Sequence, residues 1–174
     1  MDTGKFMKYV TKNQIIIYVV AFIGVLGGDL FTKYLVDAKM QINQSQTMIS
    51  NFFYFTYVHN EGAAWSLMSG SVWVFVIVAL LASIALIYFF INSKKYQILA
   101  RFGSVLVMAG LLGNLFDRLF LGYVRDFIDF VVLGYNFPVF NIADIGVVVG
   151  VIIIMIEVLF EDKINEKLST KSDN

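Results

Sequence analysis

The sequence predicts an all-α integral membrane protein of four transmembrane helices, and three observations predict it. Apolar residues make up 59% of its 174 residues and charged residues only 15%, against roughly 45–50% and about 25% in a soluble domain. Four stretches approach the length of about 20 mostly apolar residues that a helix needs to cross a hydrocarbon core. None of them alternates as a barrel strand would, so the helix is the way left to satisfy the backbone in lipid. A mean hydropathy of +0.75, with 17 Phe and 9 Tyr, excludes a disordered chain, a nucleic-acid-binding tail and an ordinary soluble enzyme. The chain has no Cys and a single His, His59. Thiolate chemistry is therefore excluded and imidazole-based metal cages are disfavoured. Zero formal net charge gives no pull toward nucleic acid.

Taken in order, the first span is expected at about 14–36, where Gln14–Gly28 is followed, past Asp29, by apolar sequence up to Val36. The second, about 72–91, holds no charge between Val72 and Ile91. The third, about 97–117, is interrupted only by Arg101 near its start, and the fourth, about 141–160, by Glu157 near its end. A single four-helix membrane domain over 1–174 follows, with segments of about 37–71 and 118–140 on one side and a polar tail, 161–174, on the other. Nine of the 13 basic residues (Lys5, Lys8, Lys12, Lys94, Lys95, Arg101, Lys163, Lys167, Lys171) fall on the tail's side, against Lys33, Lys39, Arg118 and Arg125 on the other. The positive-inside rule then places both termini in the cytoplasm. Asp29, Lys33 and more apolar sequence follow the first span instead of a small-residue cleavage site, so it is expected to be retained.

Between the spans, Phe52–Val58 and Val124–Phe130 read as extended, the latter from its alternation of apolar and polar residues. Gly134 and Pro138 mark turns. Phe52–Phe55 and Trp65 read as an interfacial aromatic belt, and His59 as a surface or interfacial residue.

The acids carry the functional signal. Asp29, Asp117 and Asp144 stand at the same end of three different spans, although an ionisable residue at mid-span costs about 2.5–3.5 kcal/mol on insertion scales. Asn114, Asp117 and Arg118 share one helix face at i, i+3 and i+4, and Asn141 and Asp144 repeat the i, i+3 relation at the head of span four. The plainer reading of Asp117 and Arg118 is a buried salt bridge with each other or with another acid. Asp126 and Asp129 project to opposite faces of an extended segment, so one of them can reach a shared pocket. Hydrolysis without Cys or a spare His can run on two carboxyls sharing one proton. Asp144 with Asp117, Asp126 or Asp129 would supply such a pair. In Asn60-Glu61-Gly62-Ala63-Ala64-Trp65, the small residues leave the backbone open to close approach by another chain.

Five blocks, Asp29-x-x-Thr32-Lys33, Asn60-x-Gly62-Ala63-Ala64, Gly113-Asn114-x-x-Asp117-Arg118, Val124-x-Asp126-Phe127 and Phe140-Asn141-x-Ala143-Asp144, occur in an order that resembles the lipoprotein signal peptidases (signal peptidase II). The resemblance implies a monomeric bacterial inner-membrane aspartyl endopeptidase, with its active site facing the extracytoplasmic side and needing neither metal nor cofactor. Its substrates would be prolipoproteins carrying a diacylglyceryl-cysteine, cut just before that cysteine at the lipid surface. It implies Asp126 and Asp144 as the catalytic pair, with Asp129 a bystander. Asp29, Lys33 and Asn60 would line the pocket, with Gly62 and Ala63 open to the substrate. Asn114, Asp117, Arg118 and Asn141 would hold the dyad and the substrate backbone. It also implies a small extracytoplasmic β-cradle and a short amphipathic helix within residues 37–71. Arg125 stands where the family often has an aliphatic residue, and its side chain is expected to point away from the pair.

Three rival readings remain distinguishable. A proton- or ion-coupled transporter would spread its acids through the membrane depth. A presenilin-type protease would place Asp29, after Gly27-Gly28, at its catalytic centre. A purely structural bundle would leave the five polar blocks without a use.

Overall fold

The computed structural model describes residues 10–62, 72–94 and 96–169, with side chains through Phe160. Four helices, α1 (Lys12–Lys39), α2 (Val72–Asn92), α3 (Ile98–Phe120) and α4 (Ile142–Ser169), each carry a stretch long and apolar enough to cross a membrane. Their exposed surfaces are Ile, Val, Leu and Phe, as expected of helices solvated by lipid. α1 begins two residues earlier than the expected span because Thr11 and Gln14 form a capping box, each side chain bonding the other's backbone N–H.

α3 is the central helix, and α1, α2 and α4 all pack on it. Its contact with α4 is the closest because glycines face each other. A Cβ on Gly103 would stand 2.6 Å from the Gly150 carbonyl oxygen, and one on Gly150 would stand 2.5 Å from that of Gly103. Small residues at such crossings let backbones approach where lipid gives helices no hydrophobic drive to associate. Among the described residues, packing of comparable extent does not join α2 to α4, which leaves that side of the bundle open among them.

The two ends of the bundle are polar in different ways. At the end where α3 begins, buried Arg101 donates to Ser93 Oγ and to the Lys94 carbonyl. The carboxylate of Glu157 on α4 accepts the Ala100 N–H in the first turn of α3, where the helix dipole favours an anion. At the other end lies an antiparallel sheet in the order β1 (Ser45–Ile49), β2 (Phe53–Asn60), β3 (Val124–Val132), β4 (Tyr135–Asn136). Both extended segments expected from sequence are therefore strands, and β1 and β4 flank them. Gly122, at φ +82°, makes the short turn from α3 into β3. β2 and β3 pair from Phe53–Phe130 to Asn60–Val124. Ile128 and Phe140 exchange backbone hydrogen bonds of 2.8 and 3.0 Å. β3 thus begins beside the end of α3 and, by its middle, has reached the head of α4.

Most of the aromatic belt lies on this sheet, with Phe53 stacked on Phe130 at 4.9 Å between centroids; Trp65 is outside the described residues. Residues 40–62 form turns and strands. The short amphipathic helix expected within 37–71 is thus not among them, and residues 63–71 lie outside the description. α4 continues to Ser169, into the segment expected as a tail.

Candidate active site

Successive strand residues face opposite ways, and β3 uses this to separate Arg125 from Asp126. Asp126 turns inward, 1% exposed. Its Oδ2 accepts from Asn60 Nδ2 at 2.8 Å on neighbouring β2, and its Oδ1 accepts from Asn141 Nδ2 at 2.6 Å. Asp144 sits in the first turn of α4. The Asn141 N–H donates to its Oδ2 at 3.1 Å, while its own N–H donates to Asn141 Oδ1 at 3.0 Å, a reciprocal cap at the head of the helix. Asn114 on α3 donates to Asp144 Oδ1 at 2.7 Å and accepts from Asn141 at 3.0 Å. Asn141 therefore holds both acids, Asp126 by its side chain and Asp144 by its backbone.

Asp126 and Asp144 line one cavity of about 910 Å³. His59, Asn60, Glu61, Gly62, Arg118 and Asn136 supply the rest of its polar wall, while Phe137–Phe140, Ile145, Val148 and Val149 supply most of the apolar one. Arg118 donates to the Gly62 carbonyl at 3.3 Å, and its guanidinium lies 5.0 Å from the Phe75 ring on α2. Burial, then the charge of Asp144, pushes the Asp126 carboxyl up to about 7; bonds from Asn60 and Asn141 and the charge of Lys33 pull the other way. Near neutrality such a pair keeps one proton between two carboxyls, one able to take a proton from water and the other able to give one.

Of the three possible partners for Asp144, only Asp126 shares this cavity. Asp129 faces the other side of the sheet and accepts from Thr56 Oγ1 at 2.6 Å. Asp117 is fully buried below the cavity floor. It receives Arg125 Nη2 at 2.7 Å, Arg125 Nε at 3.3 Å and the Arg125 N–H at 3.0 Å, and lies 3.4 Å from Lys33 Nζ. Arg125 does point away from the dyad, toward Asp117.

Two expectations change. Asp29 and Lys33 do not line the cavity: both are 0% exposed and pair with each other at 2.7 Å across one turn of α1. Asp29 also accepts the Ala143 N–H at 2.9 Å, and Lys33 donates to Asn114 at 2.9 Å. Inside an apolar bundle two opposite charges one turn apart hold each other and their neighbours rather than face water. The ion pair of Asp117 runs to Arg125 and Lys33 and not to Arg118, because the chain turns back after α3 and brings Arg125 onto it. Asn114, Asn141, Asn60, Gly62 and Arg118 lie around the pair as expected, whereas Ala63 falls outside the described residues. Asp29, bound to Lys33 and away from the cavity, does not occupy the place that a presenilin-type reading requires.

His59, at the cavity edge, stacks on Tyr123 at 3.6 Å and meets the Tyr57 hydroxyl at 2.9 Å. Burial lowers its pKa, against the pull of Asp37. Sequence reasoning gave two contributors no partner. Arg125 was visible only as an odd cation within an apolar strand. Gly113 sits where a Cβ would lie 2.6 Å from Asp29 Oδ2, and its signal was its place beside Asn114.

Residues 20–160 match the family model of signal peptidase (SPase) II. The chain is 42% identical over 157 residues to a lipoprotein signal peptidase of Staphylococcus aureus strain bovine RF122 / ET3-1, covering 90% of this chain and 92% of that one. To that of strain JH9 it is 41% identical over the same shares. Among solved structures it is similar to a bacterial membrane enzyme determined at 2.3 Å, with a TM-score of 0.78 and 40% identity over 88% of this chain and 92% of that one. A second, at 1.9 Å, gives a TM-score of 0.74 and 40% identity over 87% and 95%.

Proposed function

Because this chain belongs to the signal peptidase II family, a multi-pass membrane peptidase that processes prolipoprotein signal peptides, we propose that it does so by an aspartyl mechanism on Asp126 and Asp144. It cuts diacylglyceryl-modified prolipoproteins N-terminal to the lipidated cysteine, at the extracytoplasmic face of a bacterial inner membrane, with both termini in the cytoplasm. The observation that carries this reading is the single cavity lined by both acids, with Asn141 bonded to each.

Burial favours the shared proton on Asp126 at rest, which leaves the role of general base to Asp144. Asp144 takes a proton from water as the water oxygen attacks the scissile carbonyl carbon. Asp126 gives its proton to the carbonyl oxygen. The tetrahedral diol then collapses: the C–N bond breaks, Asp144 returns its proton to the leaving nitrogen, and Asp126 recovers the one on oxygen. Asn60, Asn114 and Asn141 keep both carboxyls oriented throughout. The open side between α2 and α4, with Ile145, Val148 and Val149 on the cavity wall, suits lateral entry of an apolar signal helix whose acyl chains stay in lipid.

The test is cleavage of a lipidated precursor, against its unlipidated form, by purified protein in detergent. Asp126→Asn and Asp144→Asn should each remain folded and lose cleavage by at least about 10³-fold, the scale of removing a group that acts only with its partner. Full activity in Asp126→Asn would remove that residue from the mechanism.

A further inference from the structure

Leu133 is the anomaly of the sheet. Among the described residues, three that are not glycine have positive φ, and two are the asparagines that commonly accept it, Asn43 and Asn51. The third is Leu133, at φ +51°, followed by Gly134 at +81°. Val132 pairs with Tyr135, so Leu133-Gly134 is the two-residue loop of the β3–β4 hairpin, where Asn-Gly is the favoured pair. A leucine here carries backbone strain, and its side chain is 103% exposed. Turn chemistry does not explain it.

Its position does. β3 meets the head of α4 at Ile128, through the Phe140 bridge, and continues five residues to Leu133. At about 3.3 Å per residue, the tip lies roughly 16 Å along the strand from that point. The β1–β2 turn lies beside it, because Val131 N–H donates to the Phe52 carbonyl at 2.9 Å. That second tip exposes Ile49 and Phe52 by about half. No Asp, Glu, Lys or Arg occurs from Met40 to Asn60 or from Phe130 to Ala143. The two tips form one uncharged apolar edge, on a bundle whose exposed helix surfaces are apolar as well.

We propose that this edge, led by Leu133 and Tyr135 with Ile49 and Phe52, inserts into the interfacial layer of the leaflet on the sheet's side. Segment 136–140, which follows the tip directly and walls the cavity, is thereby held at the depth where lipid head groups meet acyl chains. Tyr at such a boundary keeps its hydroxyl wet and its ring in lipid. Insertion of the edge requires that the four helices span a bilayer and does not depend on which acids are catalytic.

The absence of cysteine makes the test direct. In the full chain reconstituted into phosphatidylcholine–phosphatidylglycerol nanodiscs, Leu133→Cys and, separately, Tyr135→Cys are labelled with an environment-sensitive fluorophore. The expected result at both sites is a blue-shifted emission, quenched by lipid spin-labelled near the carbonyl end of its acyl chain and protected from aqueous iodide. Ready iodide quenching with no lipid quenching overturns the proposal. So does protection that appears only as the protein-to-lipid ratio rises, which would make the edge a contact between copies. A functional arm uses Leu133→Asn, which relieves the turn's strain. KM for a lipidated precursor in liposomes should rise severalfold with kcat unchanged, whereas a mere turn residue would leave both unaltered. Loss of all cleavage in the unsubstituted chain would count against the peptidase reading and leave the fluorescence result standing.

Discussion

At the scale of single residues, Asp126 sets the pH behaviour. Its carboxyl ordinarily titrates at 3.8 and here at about 7, so the folded protein holds a proton there that the unfolded chain has released. Where the native state binds more protons, stability falls as pH rises. Asp126 therefore costs stability progressively from about pH 4 to about pH 7, and nothing further above. Melting temperature in detergent should decline across that interval, and Asp126→Asn should flatten the decline. Cleavage should follow the same group: kcat/KM falls as pH rises through about 7, when the pair loses its shared proton. A rate that stays level from pH 7 to pH 9 would refute a dyad poised in this way. The opposite faces of Asp126 and Asp129 were legible from strand alternation alone. The three-bond grip of Arg125 on Asp117 was not, because it joins two elements whose separation is set by a turn at Gly122.

Among elements, the glycines divide by what surrounds them. A Cβ on Gly113 would meet Asp29 Oδ2 at 2.6 Å and Ala143 Cβ at 3.2 Å, whereas one on Gly27 meets nothing within 4 Å. Overpacking a tight contact costs about 1–3 kcal/mol. Gly113→Ala should lower the melting temperature by several degrees and, by pushing α1 from α3, disturb Asn114 and cleavage with it. Gly27→Ala should leave both measurements level or slightly improved, since Ala favours helix by about 1 kcal/mol over Gly. The four helices were readable from run length and composition, the strongest local signals in the chain. Their packing order was not: apolar residues cover every face of α2 and α4, so no stripe tells which side meets α3.

Across the whole molecule, the polar clusters at the two ends of the bundle are separable. Glu157 lies thirteen residues from Asp144 along α4, about 20 Å at 1.5 Å per residue. Its carboxylate holds the first turn of α3 and, at 3% exposed, has no access to solvent. Glu157→Ala should therefore destabilise the protein by a few kcal/mol, as loss of a buried hydrogen-bonded charge does, while kcat per folded molecule stays unchanged. A thermal melt beside active-enzyme turnover reads both, and a lowered kcat at full folding would show the two ends to be coupled. Asp29, Asp117 and Asp144 were readable as a group at one end of the fold because each closes or opens an apolar run. Which of them faces the cavity depended on the cations that reach Asp29 and Asp117, and Arg125 reaches Asp117 only through the turn after α3.

The arrangement of those cations bears on how the chain enters its membrane. Asp29 finds Lys33 one turn later in the same helix, and Asp117 finds Arg125 eight positions on, just beyond its own helix. These two acids thus bring a counter-ion within eight residues along the chain, and neutralisation need not wait for the next helix to be synthesised. Asp144 has no cation nearby in sequence. Besides its cap at Asn141 it relies on Asn114 from the preceding helix, so the pair it forms with Asp126 needs α3, β3 and α4 together.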